Sequence, residues 1–385
     1  MSGLSCCNWD GCVRQKCVQT TVASPFDTID TSLPFNKYAF LTTHNSFSIT
    51  GVTRLTFYNQ EDSVTDQLNN GVRALMLDVY DFRDDIWLCH SLGGTCYDLT
   101  AFEPAIHTLR EVEAFLLRNP SEIVTLILED HVSSHQGLTK LFNKTGLGKY
   151  WFPVPNMPQK GEDWPIVSDM IKHNHRLLVF TSNRSKELTE GISYQWNYMV
   201  ENQYMEMVMA EWTRLRVTTA PNHRSLVSLV LVNYFRSIPR QGTACKERSS
   251  GLMGVINTCY AVAGNRWANF LAVDYYKRSN GGGVFQATET LNGKLICGRD
   301  DVRSCRKGIL KHAFNDLLLR LGLTWKGPGH GGAEVARSDR DQILSIMSAQ
   351  EKSSPGENED PEFNLKEEKN HSGLNLGDDE FLDEL

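Results

Sequence analysis

The sequence predicts an α/β chain folded as a distorted (β/α)8 barrel of the TIM type. Three observations carry that expectation: short apolar runs alternate with helical patterns, eight of the runs qualify as strands, and polar residues collect at the C-terminal ends of those runs. With 385 residues, 41% of them hydrophobic, the chain can bury one barrel-sized core or two ordinary ones.

The elements follow in order. Residues 1–30 read as a Cys-rich lead-in without periodic pattern, and residues 31–325 as the barrel. Strands are expected at 38–44, 73–80, 86–91, 122–130, 176–182, 197–202, 226–235 and 269–276. The clearest helix spans 100–120, where Ile106, Leu109, Val112, Leu116 and Leu117 fall near helical spacing. Thr100 and Glu103 form a capping box there, and Asn119-Pro120 stops the helix. A second helix, 63–71, ends on Gly71 as its cap. The loop 149–165 is rich in proline and aromatics, and 278–286 is glycine-rich. Residues 349–385 turn to acidic, Ser and Asn composition, the signature of a disordered tail.

From Glu351 onward twelve acidic residues face three lysines, so the net charge of -7 resides in the tail and the body is nearly neutral. No long basic run or aromatic-basic interleaving is present, which argues against nucleic acid as a partner. The ten cysteines are even in number and close together in loops: Cys6, Cys7, Cys12 and Cys17; Cys89 and Cys96; Cys245, Cys259, Cys297 and Cys305. That usage reads as disulfides in a secreted or cell-surface protein. A zinc site in the first cluster competes, but the cluster lacks paired C-x-x-C spacing. The opening residues hold no apolar signal core. Either a signal peptide lies outside this sequence, or the cysteines are reduced.

Strand ends concentrate polar side chains: His44 and Asn45, Asp78, His90, Glu129 with Asp130 and His131, Glu201 and Asn202, Asn233, and Asp274. Two histidines with several carboxylates suit phosphodiester cleavage. That reaction needs a base for the attacking oxygen, an acid for the leaving oxygen, and positive charge beside the non-bridging oxygens. A metal held by carboxylates and an amide oxygen supplies the last of these.

The stretches LTTHNSF, LNNGVRALMLDVYDF, WLCHS and IVTLILEDH, in this order, resemble the X-domain of phosphatidylinositol-specific phospholipases C. The likeness is greatest to the plant PLC-like phosphodiesterases with a Cys-rich lead-in. It runs from about Pro34 to Lys277 and implies a distorted barrel that cleaves a phosphoinositide-like phosphodiester. By motif, His44 is the general base on the inositol 2-hydroxyl and His90 the general acid on the leaving oxygen. Asp274 is placed to orient the base. The resemblance implies Ca²⁺ on Asn45, Asp78 and Glu129, but a further Glu ligand of calcium-dependent members is Met76 here. The Arg that calcium-independent members carry at position 78 is absent too. A thioether cannot replace a hard oxygen ligand, so the implied Ca²⁺ site is weak.

Glycerophosphodiester hydrolases share the two-histidine logic, but their first motif is His-Arg where this chain has His-Asn. Met76 also motivates a third reading, a barrel that binds lipid or head group without turnover. His131 and His135 lack an H-E-x-x-H context and read as surface or loop residues. Arg73 and Arg176 read as strand-flanking salt bridges, while Arg236 and Lys277 are candidates for the pocket wall. Tyr150, Trp151 and Phe152 are expected either to pack over the barrel or to make peripheral membrane contact.

Overall fold

Period-two alternation in the strands separates two apolar layers. Phe40, Ala74, Ile127, Phe180, Leu231 and Ala272 fill an inner cluster, while Leu41, Leu75, Leu126, Val179, Val232 and Leu271 pack outward beneath the helices. The computed structural model describes residues 31–306 apart from 52–53, 92, 159, 203–214, 217–226 and 280–281. It also describes the paired two-residue strands Leu4–Ser5 and Val18–Gln19. The first cysteine cluster, the boundary at 325 and the acidic tail lie outside the described residues.

In chain order the principal elements are β1 (Phe40–Thr43), α1 (Val64–Asn69), β2 (Ala74–Phe82), β3 (Asp85–Cys89), β4 (Ala101–Pro104), α2 (Ala105–Arg118), β5 (Val124–His131), α3 (Gly137–Thr145), α4 (Val167–Lys172), β6 (Leu177–Thr181), α5 (Ser185–Glu190), β7 (Ser193–Tyr194), α6 (Gln195–Tyr198), β8 (Met199–Asn202), β9 (Leu215–Arg216), β10 (Leu229–Tyr234), α7 (Gln241–Ser250), α8 (Leu252–Val262), β11 (Phe270–Val273) and α9 (Gly283–Cys297). One sheet runs β9-β8-β10-β11-β1-β2-β5-β6-β7. Its eight strands from β8 to β7 are parallel. It curls around the inner cluster, and the short helix α6 links β7 to β8 at the open seam. The result is a distorted α/β barrel.

Two expectations need correction. The run at 86–91 is a strand, but it is no barrel stave: β3 returns antiparallel along β2, and β4 pairs antiparallel with β3. Arg83 and Asp84 both adopt left-handed backbone (φ 51° and 56°), the signature of a tight hairpin turn. So short a connection cannot hold a crossover helix. The eighth parallel strand is instead the two-residue β7. The helix at 100–120 starts later than expected, because Ala101–Pro104 pairs with β3 and Pro104 becomes the N-cap. The capping box of Thr100 and Glu103 does not form; Glu103 instead accepts the Thr108 hydroxyl at 2.5 Å. In α1, Ser63 caps the N-terminus, and Gly71 (φ 98°) follows the C-cap Asn70 in backbone that side chains rarely adopt.

The loop 149–165 packs inward. Tyr150, Phe152, Met157 and Trp164 are buried, and Phe152 and Trp164 join Phe35, Phe40 and Phe270 in the inner cluster. Of the two expectations for Tyr150, Trp151 and Phe152, packing is the one observed. Two disulfides join Cys89 to Cys96 and Cys297 to Cys305, and Cys245 is also disulfide-bonded. Cys259 departs from the expected pairing: it is free and buried on α8, and burial pushes its thiol up to about 11. Among the described residues no helix is long and apolar enough to cross a membrane.

Candidate active site

The alternation that fills the barrel with apolar groups carries polar ones to its mouth. Two residues beyond inner-face Met76, Ile127, Met199, Leu231 and Ala272 stand Asp78, Glu129, Glu201, Asn233 and Asp274. His44 follows Phe40 and Thr42 on the same face.

His44 is held from three sides. Its Nδ1 lies 2.9 Å from Oδ1 of Asp274, which is 3% exposed. The buried Asn59 donates from Nδ2 to the same oxygen at 2.9 Å, and Gln60 Nε2 donates to the His44 carbonyl at 2.8 Å. The ring stacks on Phe235, centroids 3.5 Å apart and planes 4° from parallel. With Nδ1–H donated to Asp274, Nε2 carries the free lone pair and can accept a proton. Asn59, Gln60 and Phe235 were not singled out from sequence. Asn59 and Gln60 sit in a loop without periodic signal, whereas Phe235 has the inner-face parity that could have found it.

His90 follows β3 in a loop stapled by the Cys89–Cys96 disulfide, and its N–H donates to the Thr100 carbonyl at 3.1 Å. Burial holds its pKa below the ordinary histidine value, and the nearby His44 adds to the effect. The Phe57 backbone, Glu129 and Asp274 pull the other way. His90 thus lies within electrostatic reach of His44, Glu129 and Asp274.

The three expected metal ligands also meet. Asp78 and Glu129 are register partners on β2 and β5. Asp78 is buried, and its pKa is raised well above the usual carboxylate range by burial and then by Glu129. Asn45, in left-handed backbone (φ 42°), sets its amide 3.0 and 3.1 Å from the two Asp78 oxygens. With its NH2 toward them the amide donates to both; with its oxygen toward them it completes a three-oxygen set. Among the described residues no three His, Cys, Asp or Glu side chains gather to hold a metal, so an ion here would rest on two carboxylates and an amide. Hard oxygen donors of this kind fit Ca²⁺, with water and substrate completing the shell. Met76 packs with the inner cluster.

His131 is exposed, in keeping with the surface reading, but it lies on a strand and has partners at the mouth. The last residue of β5, it stacks on Tyr80 at 4.3 Å and sets Nε2 2.9 Å from Glu129 Oε1. Arg73 pairs with Glu122 at 2.8 Å, and Arg176 donates to the Leu116, Asn119 and Glu122 carbonyls, all at the strand starts far from the mouth. Arg236 and Lys277 are held in ion pairs with Glu247 (2.9 Å) and Asp62 (2.7 Å). Glu201 accepts from Trp196 Nε1 at 2.8 Å and from Asn233 Nδ2 at 3.1 Å.

The PI-PLC X 1 family model matches residues 32–292. A PI-PLC X domain-containing protein of Arabidopsis thaliana is 51% identical over 317 residues, 80% of this chain and 74% of that protein. An uncharacterized secreted protein of the fungus Arthroderma benhamiae is 28% identical over 269 residues, 63% of this chain and 59% of its own length. Among solved structures, the phosphatidylinositol-specific phospholipase C of Listeria monocytogenes aligns with a TM-score of 0.44 at 16% identity, covering 66% of this chain and 93% of that one.

Proposed function

This chain belongs to the PI-PLC X-domain family, and from that premise we propose that it is a phosphoric diester hydrolase or lyase acting on a phosphoinositide-like diester. The observation that carries the reading is the His44–Asp274–Asn59 cluster, which leaves His44 Nε2 free as a base, with His90 at the same mouth. His44 takes the proton from a hydroxyl neighbouring the phosphate. That oxygen attacks phosphorus, the bond to the leaving alkoxide breaks, and His90 protonates the leaving oxygen. The product is a cyclic phosphate, which is released or opened by water.

Ca²⁺ is proposed on Asn45, Asp78 and Glu129, where it would supply positive charge beside the non-bridging oxygens. Two adjacent carboxylates facing a phosphate without compensation would repel it.

Peripheral membrane contact is proposed for the apolar rim of the mouth. Leu55, Phe57, Tyr97 and Leu99 are exposed there, and the Leu55 N–H donates to the Leu99 carbonyl at 2.8 Å, joining the two loops. The disulfides and the secreted relative support a secreted or cell-surface location.

Met76 favours the second reading, a barrel that binds without turnover. The test measures phosphatidylinositol cleavage in mixed micelles by wild type, His44→Ala and His90→Ala, each with Ca²⁺ and with EGTA. Equal background rates in all three proteins sink the enzyme reading, and full activity in EGTA sinks the calcium reading. Leu55→Glu with Leu99→Glu should weaken sedimentation with phosphatidylinositol vesicles; unchanged binding overturns the rim.

A further inference from the structure

β2 and β5 stack their inner residues in rungs. Met76 pairs with Ile127, Asp78 with Glu129, and Tyr80 with His131, giving an apolar floor, a carboxylate pair and an aromatic pair. His131 is fixed by the rung above the carboxylates. Its ring lies 8° from parallel to Tyr80, with centroids 4.3 Å apart. From that position Nε2 bonds Glu129 Oε1 at 2.9 Å, on the strand where Glu129 is the register partner of Asp78. Glu129 itself is 60% exposed and, without this bond, would be a mobile carboxylate.

We propose that His131 is a positioning residue for the cation site: by holding Glu129 Oε1 it preorganises a ligand set that lacks a carboxylate at Met76. The inference rests on the reading of Asn45, Asp78 and Glu129 as a cation site. Groups that bond to a metal-ligating carboxylate typically change metal affinity by about 10–100-fold. The solvent exposure of Glu129 places the expected effect near the lower end, about tenfold.

The test is Ca²⁺ affinity by titration calorimetry for wild type, His131→Phe, Glu129→Gln and the double variant. His131→Phe keeps a ring over Tyr80 and deletes the nitrogen. It should weaken Ca²⁺ about tenfold, while adding nothing in the Glu129→Gln background, because the effect runs through that carboxylate. His131→Gln, which retains a donor, should recover part of the affinity and serves if the Phe variant fails to fold. Equal or tighter binding by His131→Phe, with wild type binding Ca²⁺, overturns the role of His131 alone. Absence of Ca²⁺ binding by wild type overturns the cation site and this inference with it.

Discussion

Asp274→Asn isolates one charge in the site. Asp274 Oδ1 accepts from His44 Nδ1 and Asn59 Nδ2, both at 2.9 Å, in a position only 3% exposed. Asparagine has nearly the same shape and retains one acceptor oxygen, so packing and the Asn59 bond survive while the negative charge is lost. When His44 takes a proton it becomes a cation beside that group. Unit charges about 4 Å apart interact by ~4 kcal/mol at an effective dielectric of ~20. Exchanging a charged hydrogen-bond partner for a neutral one sets a lower bound of ~1 kcal/mol. The expected fall in kcat is therefore about 5- to 1,000-fold, at ~1.4 kcal/mol per decade, with stability within ~1 kcal/mol of wild type. Asp274→Ala should also leave the His44 and Asn59 donors without their acceptor and lose a further ~1–3 kcal/mol of stability. Mixed-micelle turnover and urea unfolding measure the two effects separately. Turnover by Asp274→Asn within about threefold of wild type, under ~0.7 kcal/mol, would refute the claim that this carboxylate stabilises the protonated base.

Because burial and His44 hold His90 below the usual histidine pKa, its acid form is lost as pH rises through that lowered value. The alkaline limb of kcat/KM should fall below pH ~6.5, and a limb well above ~7 contradicts the assignment. Folding has the matching sign: the neutral His90 is favoured, so its contribution is complete above ~6.5 and is lost as pH drops toward the folded-state value. Glu122→Ala strips the partner from buried Arg73 and should cost ~3 kcal/mol in urea unfolding, the low end for a broken buried pair, because Arg73 keeps the Leu68 and Val72 carbonyls. A loss under ~1 kcal/mol would show that water reaches the guanidinium. Replacing Cys89 and Cys96 together by Ser should lower stability by ~2.5 kcal/mol and reduce kcat more than it changes vesicle binding; an unchanged kcat would detach the staple from His90. Met76→Glu should tighten Ca²⁺ in calorimetry and lower the melting temperature in EGTA, since it adds a third carboxylate above the inner cluster.

Much of the site was legible because period two is a strong signal. Once Phe40, Met76, Ile127 and Ala272 are taken as core, the same parity carries His44, Asp78, Glu129 and Asp274 to the mouth. Phe235 lies on the same face by the same count. The loop partners Asn59 and Gln60 carry no such signal, since their positions depend on how residues 54–62 fold over the mouth. His131 is exposed as its sequence context suggests, but its contacts with Glu129 and Tyr80 are legible only once it is placed on β5 two residues beyond Glu129. The strand at 86–91 was found but given the wrong direction, although the gap after Phe82 is too short for any crossover.

That direction decides where His90 stands. β2 continues above the barrel rim through Val79 to Phe82, turns at Arg83–Asp84, and comes back down as β3 in the register Val79↔Leu88. One step further along the return brings Cys89 and His90 down toward the level of Asp78. A ninth parallel stave could deliver a histidine only at its own C-terminal end, whereas the hairpin sets the height of His90 by its length. The proposed base and the proposed acid thus rest on different supports. His44 rests on a barrel strand braced by Asp274 and Phe235, and His90 on a hairpin end braced by a disulfide and the Thr100 carbonyl. Under the proposed mechanism, changes in the hairpin reach protonation of the leaving oxygen without passing through the barrel core, while changes in the staves reach the attacking side first.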